Sequence, residues 1–134
     1  MNISDVPLAH SQKITSMLKI GVLGAGHLGK IHIKCIKDIP DYELVGFYDA
    51  MPDNAKAVAQ EHGIKSFGTI EELIDAIDVV DIVTPTLSHF ECTEKALKAG
   101  KHVFIEKPIT ANVRDANELI KLASKKKLIL QVGH

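Results

Sequence analysis

The stretch LKIGVLGAGHLG, residues 18–29, constrains the fold of this chain more than any other part of the sequence. Its first part is mostly aliphatic, which predicts a buried strand, and three glycines follow at the spacing G-x-G-x-x-G. In a strand–turn–helix unit, Gly24 permits a tight turn, Gly26 lets a bound group approach the backbone, and Gly29 lets the helix pack closely on the strand. The same spacing also arises by chance, so other parts of the chain must show whether these glycines bind a ligand.

Short apolar runs alternate with segments of helical periodicity along the rest of the sequence. The predicted strands are residues 18–24, 42–49, 64–67, 79–85, 102–108 and 128–132. Helices between consecutive strands require parallel strands with right-handed crossovers. We therefore expect the α/β class, with a doubly wound, six-stranded parallel sheet of the Rossmann type in the strand order 3-2-1-4-5-6.

Helical periodicity and helix starts lead to two further expectations. The first helix is expected to place four residues on one face, namely Leu28, Ile31, Cys35 and Ile39. Capping boxes are expected at the starts of the third and fourth helices, from Thr69 with Glu72 and from Ser88 with Glu91.

Composition and charge limit the classes of function. The chain has 134 residues, 46% of them hydrophobic, and a net charge of −1, so one globular domain is expected without a basic surface for nucleic acid or anionic lipid. No apolar run approaches the roughly 20 residues of a membrane span. Residues 1–16 lack the apolar stretch of a signal peptide, and we expect a flexible leader there, before a domain at 17–134. Two cysteines, Cys35 and Cys92, make no disulfide framework, which indicates packing residues with free thiols in a cytoplasmic protein.

The end of the second predicted strand favours a nucleotide site. Asp49 lies 20 residues after Gly29, where a carboxylate can accept hydrogen bonds from the ribose hydroxyls of adenosine. Amide groups at the helix start would face the phosphates, and Ala25, His27 and Leu28 complete this expected cofactor-binding loop. NAD is expected rather than NADP, because Asp49 would repel a 2′-phosphate and no arginine follows it. An S-adenosylmethionine site could present the same glycines and acid.

Two further motifs lie at the carboxyl ends of the fourth and fifth predicted strands, at the sheet edge where such folds bind ligands. They are TPTLSH at 84–89 and EKP at 106–108. With GAGHLGKIH, ALKAGKHVFIEKPI and the closing QVGH, they make the sequence resemble the Gfo/Idh/MocA family of oxidoreductases from Met17 to His134. The resemblance implies an NAD(P)-binding domain of an enzyme that transfers hydride between the cofactor and a sugar, polyol or related hydroxy or carbonyl compound. It also implies a second domain, absent from this chain, that carries most of the substrate site and the contacts of a homo-oligomer.

The EKP motif is where the resemblance implies catalysis. Lys107 would reach the reacting carbon and the substrate hydroxyl, and Glu106 would contact the nicotinamide ribose. An ammonium group in that place stabilises the charge that develops during hydride transfer and can relay a proton. We also expect a cis peptide bond between Lys107 and Pro108, since X–Pro bonds adopt that form most easily.

The TPTLSH motif would complete the cofactor site. By the resemblance, Thr84, Pro85 and Thr86 pass under the nicotinamide ribose, although the family commonly has asparagine where this chain has Thr86. Two roles are open for His89, which are cofactor binding and packing with helix capping.

The remaining histidines show no metal-ligand spacing, and no metal is predicted. Surface positions are expected for His10, His32, His62, His102 and His134. Besides the oxidoreductase domain, two other functions are open, which are a noncatalytic nucleotide-sensing module and an S-adenosylmethionine-binding domain.

Overall fold

A computed structural model describes residues 17–133. The expected leader, His10 and His134 lie outside the described residues. The described strands are β1 Leu18–Leu23, β2 Tyr42–Tyr48, β3 Lys65–Ser66, β4 Val79–Ile82, β5 His102–Ile105 and β6 Leu130–Val132. The helices are α1 His27–Lys37, α2 Pro52–His62, α3 Ile70–Asp75, α4 His89–Lys98 and α5 Val113–Lys126, with a short 3₁₀ helix at Thr86–Ser88.

Within the described residues the strands form one six-stranded sheet in the order β3-β2-β1-β4-β5-β6. Each neighbouring pair is parallel. The predicted α/β Rossmann topology is therefore confirmed. The order reverses between β1 and β4, and a doubly wound sheet opens a crevice at such a switch point.

The sheet buries a hydrophobic layer on each face. One layer joins β1 and β2 to residues of α1 and α2, among them Ile33 and Val58. The other joins β4 and β5 to α3, α4 and α5, through residues such as Leu73 and Leu97. No helix within residues 17–133 has the length and apolar character needed to cross a bilayer.

Strands β4 and β5 end three residues earlier than predicted, at Ile82 and Ile105. Proline has no amide hydrogen for a strand ladder, and both TPT and EKP contain one. The two motifs therefore form loops beyond the sheet instead of strand ends. The Lys107–Pro108 peptide bond is cis, as expected.

Three of the four residues predicted to share the apolar face of α1 are exposed, whereas Ile39 lies after the end of the helix and packs against the core. The buried residues of α1 are Gly29, His32, Ile33 and Ile36. Leu28 and Ile31 are 44% and 42% exposed, and Cys35 is exposed as well, whereas Cys92 is a buried packing residue. The contact of Gly29 with the turn before the helix decides the rotation, since residues three, four and seven positions later then face the sheet.

One of the two expected helix caps is present. Thr69 Oγ1 accepts a hydrogen bond from the Glu72 amide at 3.1 Å. Ser88 does not cap α4, and its hydroxyl instead donates to the Pro85 carbonyl at 2.8 Å. The 3₁₀ helix runs directly into α4, so Ser88 has helical dihedral angles instead of the extended ones of a capping residue.

Candidate functional site

The candidate site is a cleft of about 570 Å³ at the carboxyl ends of β1, β2 and β4. It is lined by Gly24, Gly26, His27, Leu28, Gly29, Asp49, Ala50, Met51, Val83, Thr84 and Pro85. The glycine motif, Asp49 and the first part of the TPT motif are thus brought together. We call residues 24–29 the glycine loop, and residues 83–89 with 106–108 the strand-end loops.

Two glycines of the glycine loop are required by the fold itself. Gly24 has a φ of +96°, and a Cβ there would lie 2.8 Å from the Val83 carbonyl oxygen. A Cβ on Gly29 would lie 2.0 Å from the Gly24 carbonyl oxygen, far inside van der Waals contact. The turn and the first turn of α1 therefore touch through their backbones, as the sequence predicted for these positions.

Gly26 is different, because the fold does not need a glycine there. Its φ is −73°, which any residue can adopt, and a Cβ at this position would meet no atom within 4 Å. The space that a side chain would occupy belongs to the cleft. The amide groups in the first turn of a helix also have no intrahelical acceptor and carry partial positive charge. This arrangement fits a phosphate-bearing ligand at the start of α1.

Asp49 braces the glycine loop from β2. Its Oδ1 accepts a hydrogen bond from the Ala25 amide at 2.9 Å, and its Oδ2 accepts from the Met51 amide and the Asn54 side chain, both at 3.2 Å. Asn54 also donates to the Ala25 carbonyl at 2.9 Å. A carboxylate has about four acceptor positions. The chain uses three of them, so Asp49 can accept a further hydrogen bond from a ligand at the cleft wall.

His89 joins the two strand-end loops. Its ring is 1% exposed, with Nε2 2.8 Å from the Thr84 carbonyl oxygen and Nδ1 2.8 Å from the Pro108 carbonyl oxygen. Thr84 and Pro85 line the cleft, and Thr86 begins the 3₁₀ helix. Because both ring nitrogens of His89 face the main chain, the structure places this residue as a link that holds the loops together.

Glu106 and Lys107 follow β5 at the same edge of the sheet. The Lys107 side chain is exposed, whereas the Glu106 side chain is only 14% exposed and is held by a histidine. The two adjacent residues thus differ, since Glu106 is fixed by the interior and Lys107 extends into solvent.

The partner of Glu106 is His32, for which a surface position was predicted. That prediction is wrong, because His32 is 5% exposed. Its Nδ1 lies 2.6 Å from Asp81 Oδ2 and its Nε2 lies 2.8 Å from Glu106 Oε1. Asp81, in β4, is fully buried. A charged residue inside the apolar run VVDIV was the signal in the sequence, since a buried carboxylate requires a partner.

Two other histidines expected at the surface are also partly enclosed. The His62 side chain is 6% exposed. His102 Nδ1 accepts a hydrogen bond from the Ile129 amide at 3.0 Å, between β5 and β6. Burial lowers the pKa of His102, with a smaller opposing effect from Asp78.

Charge in the His32 cluster follows from its burial and its neighbours. Burial by itself lowers the pKa of His32, but hydrogen bonding and attraction to Asp81, and then to Glu106, outweigh it, so the pKa of His32 is raised. Burial raises the pKa of Asp81, and His32 opposes this only in part. The raised pKa of His32 favours its protonated form, in which the imidazolium can donate to a carboxylate on each side.

The cluster is not arranged as a metal site. Asp81 and Glu106 contact opposite nitrogens of the His32 ring, so their oxygens do not converge on one point. Among residues 17–133, no group of three or more histidine, cysteine, aspartate and glutamate side chains could hold a metal ion.

Comparison with known proteins relates this geometry to a protein family. The family model described as "Oxidoreductase family, NAD-binding Rossmann fold" matches residues 18–134. A UDP-N-acetylglucosamine 3-dehydrogenase from Acidithiobacillus ferrooxidans is 38% identical over 117 residues, which are 87% of this chain and 37% of that protein. A solved structure of that enzyme superposes on this chain with a TM-score of 0.84, and the match covers 88% of this chain and 38% of that chain.

Two other solved structures contain bound cofactor. Scyllo-inositol dehydrogenase from Lactobacillus casei, with NAD(H) and scyllo-inositol, is 32% identical with a TM-score of 0.81, covering 88% of this chain and 36% of that chain. Biliverdin reductase from Synechocystis sp., with biliverdin and NADP+, is 28% identical with a TM-score of 0.83, covering 87% of this chain and 38% of that chain. The chain thus spans a little over a third of the length of these proteins.

Proposed function

This chain belongs to the Gfo/Idh/MocA family of oxidoreductases, whose NAD-binding Rossmann model matches residues 18–134, and we propose that it binds a nicotinamide dinucleotide in the cleft at the carboxyl edge of its sheet. The observation that carries this proposal is the open space at Gly26, beside the start of α1 and within the cleft that Asp49 also lines. Sequence and fold both explain Gly24 and Gly29 without a ligand. Within residues 17–133 no contact requires a glycine at position 26, whereas a ligand group close to the backbone would require one.

Different residues of the site would bind different parts of the cofactor. The pyrophosphate would bind the amide groups at the start of α1, together with Gly26, His27 and Leu28. The adenosine ribose would donate to Asp49. The nicotinamide end would lie against Thr84 and the strand-end loops, with Glu106 accepting a hydrogen bond from its ribose. When bound, the cofactor supplies a carbon that accepts or delivers hydride.

Lys107 is the proposed catalytic residue. Its exposed ammonium group follows directly after Glu106, at the end of the site where the nicotinamide would lie. A positive charge there stabilises a substrate alkoxide and can hold or release the proton of the substrate hydroxyl. His89 supports this end of the site through the main chain of both strand-end loops.

NAD is the proposed cofactor in preference to NADP. The Asp49 carboxylate would repel a ribose 2′-phosphate. Lys56 is the cation nearest in sequence, and it lines a neighbouring cavity of about 400 Å³ together with Asp49. We expect tighter binding of NADH than of NADPH in a fluorescence titration, and a shift toward NADPH in the variant Asp49→Ser with Ala50→Arg. Tighter binding of NADPH by the unchanged chain would contradict the proposal.

We propose that this chain, residues 17–134, is one domain of a dehydrogenase acting on a sugar, polyol or related hydroxy compound. The solved relatives are more than twice its length, and a further domain would position the substrate and exclude water, as well as join the subunits of a homo-oligomer. Positioning of the reacting carbon supplies about 7–11 kcal/mol of such a barrier, so the 134-residue chain should bind NADH without dehydrogenase activity. Free thiols at Cys35 and Cys92 favour a cytoplasmic location.

The test is a binding titration of the chain with NADH, ADP-ribose and S-adenosylmethionine. We expect NADH and ADP-ribose to bind and S-adenosylmethionine not to bind. Gly26→Val should weaken NADH binding at least about tenfold, since the side chain fills the space needed by the phosphates, whereas the fold tolerates it. The thermal unfolding midpoint of this variant serves as the control. Preferential binding of S-adenosylmethionine, or unchanged NADH binding by a folded Gly26→Val variant, would overturn the proposal.

A further inference from the structure

Three ionisable side chains from three separate elements form a continuous row beneath the strand-end loops. Asp81 of β4 contacts His32 of α1, and His32 contacts Glu106 after β5, at 2.6 and 2.8 Å. Exposure rises along the row, because the side chains of Asp81, His32 and Glu106 are 0%, 7% and 14% exposed. The row therefore leads from the centre of the sheet to the strand-end loops, to which Glu106 belongs.

Stability does not explain this row. Asp81 has no exposed surface, and its Oδ1 has no hydrogen-bond partner among the described residues. A buried ion pair of this kind is often no more stabilising than apolar residues of the same shape, and an unpaired buried oxygen adds a cost. Strand β4 is otherwise apolar, so apolar packing was available at this position. The row is better explained by what it does to its exposed end.

The exposed end is the Glu106 carboxylate. His32 is held from one side by Asp81, which sets the orientation of the imidazole ring, so that its other nitrogen meets Glu106 Oε1. A carboxylate has two oxygens, and the contact with His32 restrains one of them. The remaining acceptor positions of Glu106 are then presented in one orientation. A side chain with several rotatable bonds would otherwise lose conformational entropy on meeting a ligand.

We propose that His32, held by Asp81, is a positioning residue that fixes the Glu106 carboxylate as an oriented anion for the ribose at the nicotinamide end of the cofactor. This inference rests on the proposed function and adds a role for two residues that do not touch the cofactor. The charged groups that act on His32 are Asp81 of β4 and Glu106 after β5. Within the described residues, those that act on Asp81 are His32 and Glu106.

The first measurement tests the row without any cofactor. The ring nitrogens of His32 are followed by NMR in the 15N-labelled chain as the pH is raised. We expect two protonated ring nitrogens at pH 7 and a titration midpoint above that of ordinary histidine. Asp81→Asn should lower that midpoint, because it removes the buried negative charge. A His32 midpoint at the ordinary value, or one unaffected by Asp81→Asn, would overturn the proposal.

The second measurement separates positioning from a structural role. NADH and ADP share the adenosine end, and only NADH carries the ribose of the nicotinamide end. We expect His32→Gln to weaken NADH binding by about fivefold or more while ADP binding stays within about twofold. Glu106→Gln should have a similar effect, and combining the two should add little, because both act on the same contact. Loss of affinity for both ligands would indicate a structural role and overturn the proposal.

A variant in which both His32 and Asp81 are neutral controls for the destabilising effect of an unpaired buried charge. His32→Gln alone leaves Asp81 buried without a charged partner, so the double variant His32→Gln with Asp81→Asn is measured as well. In the unchanged chain, the ratio of NADH to ADP affinity should fall as the pH rises and His32 loses its proton, and in the double variant it should stay flat. A flat ratio in both proteins would overturn the proposal. If the unchanged chain binds neither ligand, the proposed function itself is wrong, whatever the NMR titration of His32 shows.

Discussion

The glycine loop lines the cleft together with residues 83–85 of the strand-end loops, and the two sets of loops are held in place by different forces. The glycine loop is kept in shape by backbone contacts, chiefly between Gly29 and Gly24, and by one carboxylate that accepts from the Ala25 amide. The strand-end loops are held by histidines, one of them inside a buried row of charges. The first half is therefore set chiefly by sterics, and the second half by hydrogen bonds of buried ionisable side chains.

This difference suits the two ends of the proposed cofactor. The adenosine and phosphate end only has to bind, and a rigid backbone surface is sufficient for that. At the nicotinamide end a hydride and a proton would be transferred, and there the positions and charges of ionisable groups matter. The predictions that follow test whether the two halves can be disturbed separately, beginning with the largest expected effect.

The largest effect is expected from Gly29→Ala. The new Cβ would lie 2.0 Å from the Gly24 carbonyl oxygen, and neither backbone segment can move without opening the contact between α1 and β1. We expect a loss of about 3 kcal/mol or more in the free energy of unfolding, measured with urea. Gly26→Ala is the matched control and should cost less than about 1 kcal/mol. Equal losses in the two variants would show that the backbone contact does not hold the loop.

Asp49→Ala should disturb the adenosine end alone. Because hydrogen bonds to a charged group contribute about 1.5–3 kcal/mol, we expect NADH and ADP-ribose affinity to fall together by about 10- to 100-fold. Asp49→Asn, which retains an oxygen for the Ala25 amide, should lose less. Titration calorimetry with both ligands measures this. A loss confined to NADH would contradict the division between the two ends.

The free energy of unfolding should depend on pH through His32 and Asp81, the buried groups that hold Glu106 of the strand-end loops. The raised pKa of His32 means that its contribution to stability is complete below the ordinary histidine pKa and is lost as the pH rises through the raised value in the folded protein. The raised pKa of Asp81 acts in the same direction. We therefore expect the urea midpoint to fall from pH 6 to pH 9. In the double variant His32→Gln with Asp81→Asn, the urea midpoint should no longer fall over this pH range. An equal fall in the double variant would show that other groups cause the effect.

The smallest effect is expected at His102, which lies outside both halves. Its pKa is lowered by burial, so its contribution to stability is present above the ordinary histidine pKa and is lost as the pH falls through the lowered value. A protonated Nδ1 cannot accept from the Ile129 amide. We expect faster hydrogen exchange at Ile129 near pH 5, after correction for the intrinsic rate, and no such change in His102→Asn. Unchanged protection of Ile129 in the wild-type chain would contradict this.

Sequence patterns predicted the glycine loop, because its shape depends on residues that are close together in the sequence. The roles of Gly24 and Gly29 could be read because turn geometry and close helix packing restrict the residue type at each position. The buried face of α1 was predicted incorrectly, since aliphatic side chains at Leu28 and Ile31 suggested burial, whereas the Gly29 contact turns them outward.

By itself, the sequence determined the strand order, the glycine loop and the two motifs beside the carboxyl ends of β4 and β5, but not the residues at which these strands end. Those three features depend on hydrophobic periodicity, on glycine and proline, and on the parallel geometry that helical crossovers impose. Only the tertiary structure decided that His32 meets Asp81, 49 residues away in the chain, and Glu106 beyond it. Such contacts depend on the rotation of a helix about its axis and on the residue at which a strand ends. Both are set by packing across the sheet, and local patterns do not encode them.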